Sequence, residues 1–159
     1  MKKSITLLPF ITFATCLLAQ SKAIGITAGA SVFNSKSASL QYESQVNGKN
    51  YLGIFAETFF YCDTKQSITL SSGQTHYYVG LYYKPSLHSS RNFSNYFLFG
   101  AAAGTHGKKF LYYSFAGFEQ DFYIGDKTIF FVAEELKYLV PLKNKWQPFI
   151  KTGVKFSVR

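Results

Sequence analysis

Hydrophobic and polar positions alternate with period two through most of the chain, the spacing of a strand with one apolar and one polar face. In the last segment Ile150, Thr152, Val154, Phe156 and Val158 share one face; Lys151, Gly153, Lys155, Ser157 and Arg159 share the other. From Thr128 to Val140, Phe130, Val132, Leu136, Tyr138 and Val140 oppose Ala133, Glu135 and Lys137. Glu134 interrupts the apolar face there, and Phe131 and Leu139 interrupt the polar one. Similar alternation sets Phe118, Phe122 and Ile124 against Glu119, Asp121 and Tyr123, and Tyr77, Val79, Leu81 and Tyr83 against His76, Tyr78, Gly80 and Tyr82. It also sets Leu52, Ile54, Ala56 and Phe60 against Gly53, Phe55, Glu57 and Phe59. Leu40, Tyr42 and Val46 oppose Gln41, Glu43 and Gln45, and Ile24, Ile26, Ala28, Ala30 and Val32 oppose Gly25, Thr27, Gly29 and Ser31. With the small, apolar run from Tyr96 to Ala103, the pattern predicts eight strands.

Punctuation supports this division. Asn47-Gly48-Lys49-Asn50 and Gly125-Asp126-Lys127 have the residues of tight hairpin turns. Pro85, Pro141 and Pro148 are expected at or beside strand ends, where a missing amide donor does least harm. The polar stretch Cys62 to Gly73 and the basic, Ser-rich stretch Lys84 to Ser94 read as connections.

The N-terminus follows another rule. Lys2 and Lys3 precede an apolar stretch from Ile5 to Ala19, and Ser21-Lys22-Ala23 offers small residues at positions −3 and −1 of a cleavage site. Residues 1–23 are therefore expected to be a signal peptide, with 24–159 a single domain. Without the leader the net charge falls from +9 to +6 and 136 residues remain. Cys62 is then the one cysteine left, which excludes an internal disulfide and any multi-cysteine metal site.

Eight strands in 136 residues leave about 9 to 11 residues per strand, the length a membrane-spanning strand requires. Aromatic residues make up 19% and charged residues only 16%, whereas a soluble surface normally draws on about 25% charged residues. An even number of strands behind a signal peptide predicts an all-β, eight-stranded antiparallel up-and-down transmembrane barrel in a bacterial outer membrane, with lipid and lipopolysaccharide as its surroundings. Its polar faces would form a lumen in which Glu43, Glu57, Glu119, Asp121 and Glu135 pair with Lys137, Lys151 and Lys155. Alternation alone does not separate this from a soluble periplasmic ligand-binding barrel, in which the greasy face points inward.

Particular segments carry a resemblance: Gly25-Ile26-Thr27-Ala28-Gly29, Gly48-Lys49-Asn50-Tyr51, Tyr78-Val79-Gly80-Leu81-Tyr82, Asn95 to Ala103, and Tyr123-Ile124-Gly125-Asp126. Together with Trp146-Gln147-Pro148-Phe149 and Gly153-Val154-Lys155-Phe156, they resemble the TraO proteins of Bacteroidetes conjugative transposons. The resemblance implies a structural outer-membrane component of a DNA-transfer apparatus, with other transfer proteins as partners and no catalytic residues to carry over. A general small barrel for adhesion or envelope integrity is the alternative.

Little in the chain suggests chemistry. His76, His88 and His106 do not have the spacing of a metal site or of a Ser-His-acid set, so no catalytic residue, metal or cofactor is expected. The basic residues at His88 to Arg91 and Lys108-Lys109 are separated along the chain and read as solvated loop charges, so direct nucleic-acid binding is not expected.

Overall fold

The computed structural model describes residues 21–32, 35–61, 75–106, 109–140 and 145–158. Nine strands run in chain order: β1 (Lys22–Ser31), β2 (Ser35–Val46), β3 (Asn50–Tyr61), β4 (Thr75–Lys84), β5 (Ser86–Ser89), β6 (Phe93–His106), β7 (Lys109–Tyr123), β8 (Thr128–Val140) and β9 (Trp146–Val158). Every pairing is antiparallel, and β1 pairs with β9, which closes the sheet. Both β4 and β5 pair with β6, so they form one stave interrupted at Pro85. The barrel therefore has eight staves, and no helix occurs among the described residues.

Two sequence expectations need correction. The stretch from Lys84 to Ser94 is not simply a connection: Lys84 ends β4, β5 occupies Ser86–Ser89, and β6 begins at Phe93. Proline lacks an amide donor, yet the Pro85 carbonyl still accepts from the Phe97 amide at 3.1 Å, so pairing with β6 resumes after the break. Pro148 is the third residue of β9, inside the strand rather than beside it. β1 begins at Lys22, with Lys22 and Ala23 paired to β2 and β9. Residues 1–20 of the expected leader and the Cys62 to Gly73 stretch lie outside the described residues.

One end of the barrel holds the tight turns. Asn47 and Gly48 have φ of 48° and 79°, left-handed values that Asn and Gly tolerate and that turn the chain within three residues between the paired Val46 and Asn50. The start of β1, the end of β9 and the 124–127 turn share that end, while the strand ends at Ser31, Ser35, Tyr61, Thr75, His106, Lys109, Val140 and Trp146 are at the other. These are called the turn end and the loop end below.

The outer wall is apolar. Ile26, Val79 and Ile150 are 63%, 67% and 63% exposed, in company with Ile24, Leu40, Ile54, Leu81, Phe99, Phe118 and Leu136. Aromatic residues concentrate towards both rims. Phe93, Phe122 and Phe130 neighbour one another at the turn end, and Tyr138 lies 4.8 Å from Trp146 at the loop end. Aromatic girdles of this kind border the apolar band of a membrane barrel. A soluble barrel would turn its greasy face inward, and the chain does not adopt that arrangement.

Candidate functional site

The inward positions of the staves converge on a lumen whose charges fall into two groups. Near the turn end, the Lys84 ammonium lies 3.0 Å from both oxygens of Glu43, 2.6 Å from Glu119 and 3.5 Å from Asp121. Lys155 is 3.0 Å from Glu43 and 3.2 Å from Asp121, and it also bonds Glu119. The Tyr82 hydroxyl donates to Glu43 at 2.7 Å. Two lysines thus face three carboxylates, a group one negative charge from neutrality.

Further towards the loop end, Lys137 lies 2.8 Å from Glu57 and 3.3 Å from Glu135, and Lys151 lies 2.7 Å and 3.2 Å from the same two carboxylates. Tyr113 donates its hydroxyl to Glu57. This second group is neutral. The lysines of both groups also lie against aromatic faces: Lys137 is 4.5 Å from the centre of the Phe59 ring and 4.6 Å from Phe149, and Lys155 is 4.3 Å from Phe131. With little water available, carboxylates and ring faces take over the solvation of the ammonium groups.

The structure brings Glu43, Glu119, Asp121 and Lys155 into the first group and Glu57, Glu135, Lys137 and Lys151 into the second. Lys84, which is fully buried, was missed by sequence reasoning. Its signal was the alternation His76, Tyr78, Gly80, Tyr82, which Lys84 continues by one step; the adjacent Pro85 made it look like the start of a loop.

The lumen is not uniformly polar. Phe55, Phe59, Tyr78, Tyr113, Phe115 and Phe149 form a packed aromatic cluster, with Tyr78 and Tyr113 rings 4.9 Å apart and Phe59 and Phe149 5.1 Å apart. Phe131 and Leu139, which interrupt the polar pattern of β8, point inward and are 1% exposed. Between the charge groups remains a cavity of about 10 Å³, lined in part by Ser39, Gln41, Glu135 and Lys151, room for about one water molecule. Charged and aromatic side chains therefore plug the barrel.

Nothing brings the three histidines together. His76 is the second residue of β4, at the loop end, where the Tyr78 hydroxyl lies 3.5 Å from its Nδ1; His106 ends β6 at that same end; His88 lies in β5 at the turn end. Lys109 and Arg91 are likewise at opposite ends of the barrel.

Comparison with known proteins speaks to the fold. The N-terminal β-barrel domain of Pseudomonas aeruginosa OprF is similar with a TM-score of 0.66 at 11% identity, over 87% of this chain and 98% of that one. The Yersinia pestis outer-membrane protein Ail in a phospholipid nanodisc gives 0.58 at 12%, over 87% and 99%. A de novo designed transmembrane β-barrel gives 0.64 at 10%, over 87% and 96%. The fold is that of the small eight-stranded outer-membrane barrels. No protein-family model matches the chain, and no curated protein matches it.

Proposed function

We propose that this protein is a non-catalytic barrel of the bacterial outer membrane that serves as a structural component of a conjugative DNA-transfer apparatus. The observation that carries the reading is a solid lumen inside an apolar wall: charge groups and rings fill the interior, so the molecule offers partners its outer wall and its two ends. The transfer role rests on the resemblance of its strand and turn segments to the TraO proteins. Short turns usually face the periplasm, and the proposed orientation accordingly has the 47–49 and 124–127 turns inside the envelope and the loop end outside it. Lipid and lipopolysaccharide surround the wall. Lys84, Lys137, Lys151 and Lys155 are ion-paired in the lumen and take no part in any contact with phosphate.

A second reading, a barrel for adhesion or envelope integrity, is supported by the fold shared with Ail, the attachment invasion locus protein of Yersinia pestis. Deleting the gene separates the two. The transfer reading expects a fall in mating frequency with normal growth and normal surface binding. Unchanged mating with a leaky envelope or altered surface binding would support the second reading.

A further inference from the structure

Glu134 is the seventh of the thirteen residues of β8, and its side chain points out of the barrel. Its cross-strand neighbours are Phe118 and Ile150, 54% and 63% exposed on the same wall, and Val132 and Leu136 flank it along the strand. A carboxylate at the middle of a spanning strand sits at mid-depth of the apolar belt. A Glu side chain is too short to reach water from there across half of a belt about 25 Å tall. Among the described residues no hydrogen bond or ion pair engages it, although the five carboxylates of the lumen are all paired.

A second feature adjoins it. Ala116, paired with Leu136 and therefore diagonal to Glu134, lies with Ser114 on the floor of an outward groove of about 460 Å³ walled by Leu136, Tyr138 and Trp146. Small residues on a lipid-facing surface let another polypeptide approach closely. A charge in a low-dielectric surrounding is normally retained opposite a counter-charge.

A second copy of the chain fits this surface poorly. Copies inserted in the same direction associate about an axis along the membrane normal, which preserves depth. The facing wall would present Glu134 again beside Phe118 and Ile150, with no outward-facing cation at that depth among the described residues.

The geometry points to a different occupant. On the reading that the barrel spans a membrane, we propose that Glu134 and the Ser114–Ala116 groove form a docking site for a membrane-spanning segment of another protein that carries a lysine or arginine at mid-depth. The small floor admits the segment and Glu134 pairs with its cation.

Trp146 is the one tryptophan of the chain and stands in the groove wall, so it reports on occupancy. The purified protein would be refolded in phosphatidylcholine vesicles with a dansyl-labelled, Leu/Ala-rich spanning peptide bearing one central Lys, or the same peptide with a central Leu. Energy transfer from Trp146 should reach half-maximum at a several-fold lower peptide-to-lipid ratio for the Lys peptide, and Glu134→Gln and Glu134→Leu should each abolish the difference. Equal transfer to both peptides, or a preference that survives both substitutions, overturns the proposal. So does efficient disulfide cross-linking between two copies through Ala116→Cys in a Cys62→Ser background. A heat-dependent gel shift of the same samples separates the two readings. Its absence in the wild type sinks the membrane barrel as well, whereas a normal shift without peptide preference overturns the docking site alone.

Discussion

Glu57 and Glu134 show how much a single position along a strand decides. Both are carboxylates in the middle of their strands, but Glu57 faces inward to Lys137, Lys151 and the Tyr113 hydroxyl, whereas Glu134 faces the outer wall. Removing one member of a buried ion pair leaves its partner as an uncompensated charge, which typically costs about 3–5 kcal/mol. Glu57→Leu should therefore lower the stability of the barrel by roughly that amount, because two lysines are left to share the one carboxylate of Glu135. Lys137→Met alone should also destabilise it, because Glu57 and Glu135 would then share a single lysine, Lys151. The double variant should lose clearly less than the two single losses added together, since the stranded charges are removed in company. Urea unfolding in lipid vesicles, followed by the heat-dependent gel shift, measures all three. Strict additivity would mean that Glu57 and Lys137 do not form the pair described.

At the scale of the strands, five inward glycines each sit directly across from an aromatic residue that lies over them. The pairs are Gly53 with Tyr82, Gly80 with Phe55, Gly100 with Phe115, Gly104 with Tyr78, and Gly153 with Phe131. A large ring inside a narrow lumen needs an opposite position without a side chain, and the glycine gains cover for its backbone in return. A Cβ at Gly53 would lie 2.5 Å from the Tyr82 hydroxyl oxygen, far inside contact distance. Gly53→Ala should push the ring aside, break the Tyr82 to Glu43 hydrogen bond and cost about 1–3 kcal/mol. Combining it with Tyr82→Leu should recover part of that loss in the same urea measurement, and no recovery would show that the ring is not what Gly53 accommodates. Period two made the strands and the inward side of each glycine legible in the sequence. Which ring covers which glycine depends on register between strands, and that is set by the closed sheet rather than by any one segment. The same limit hid β5, because Ser86–Ser89 is too short to show alternation and follows a proline.

At the scale of the whole molecule, alternation alone left two barrels open, one greasy outside and one greasy inside. Composition leaned towards the first, and the observed wall, with its aromatic rims, is of that kind. Even so, the expectation of a polar lumen was only half of what the chain builds. The lumen carries rings as well as charges because eight staves enclose a space that side chains must fill completely, and charge groups alone would leave gaps beside their lysines. Filling has a consequence for transport. The cavity left between the charge groups, about 10 Å³, holds about one water molecule, too little for a file of water there. In a planar lipid bilayer the wild-type protein should therefore show no steady porin-like ion current. Replacing Phe59, Tyr113 and Phe149 together by Ala would remove rings that meet over Lys137 and connect the ionic groups to the loop end. That variant, if it keeps the heat-dependent gel shift, should conduct, with a preference for cations because the lumen holds five carboxylates against four lysines. A wild-type barrel that conducts as readily as the variant would contradict the plug, and with it the inference that this protein acts through its wall and ends.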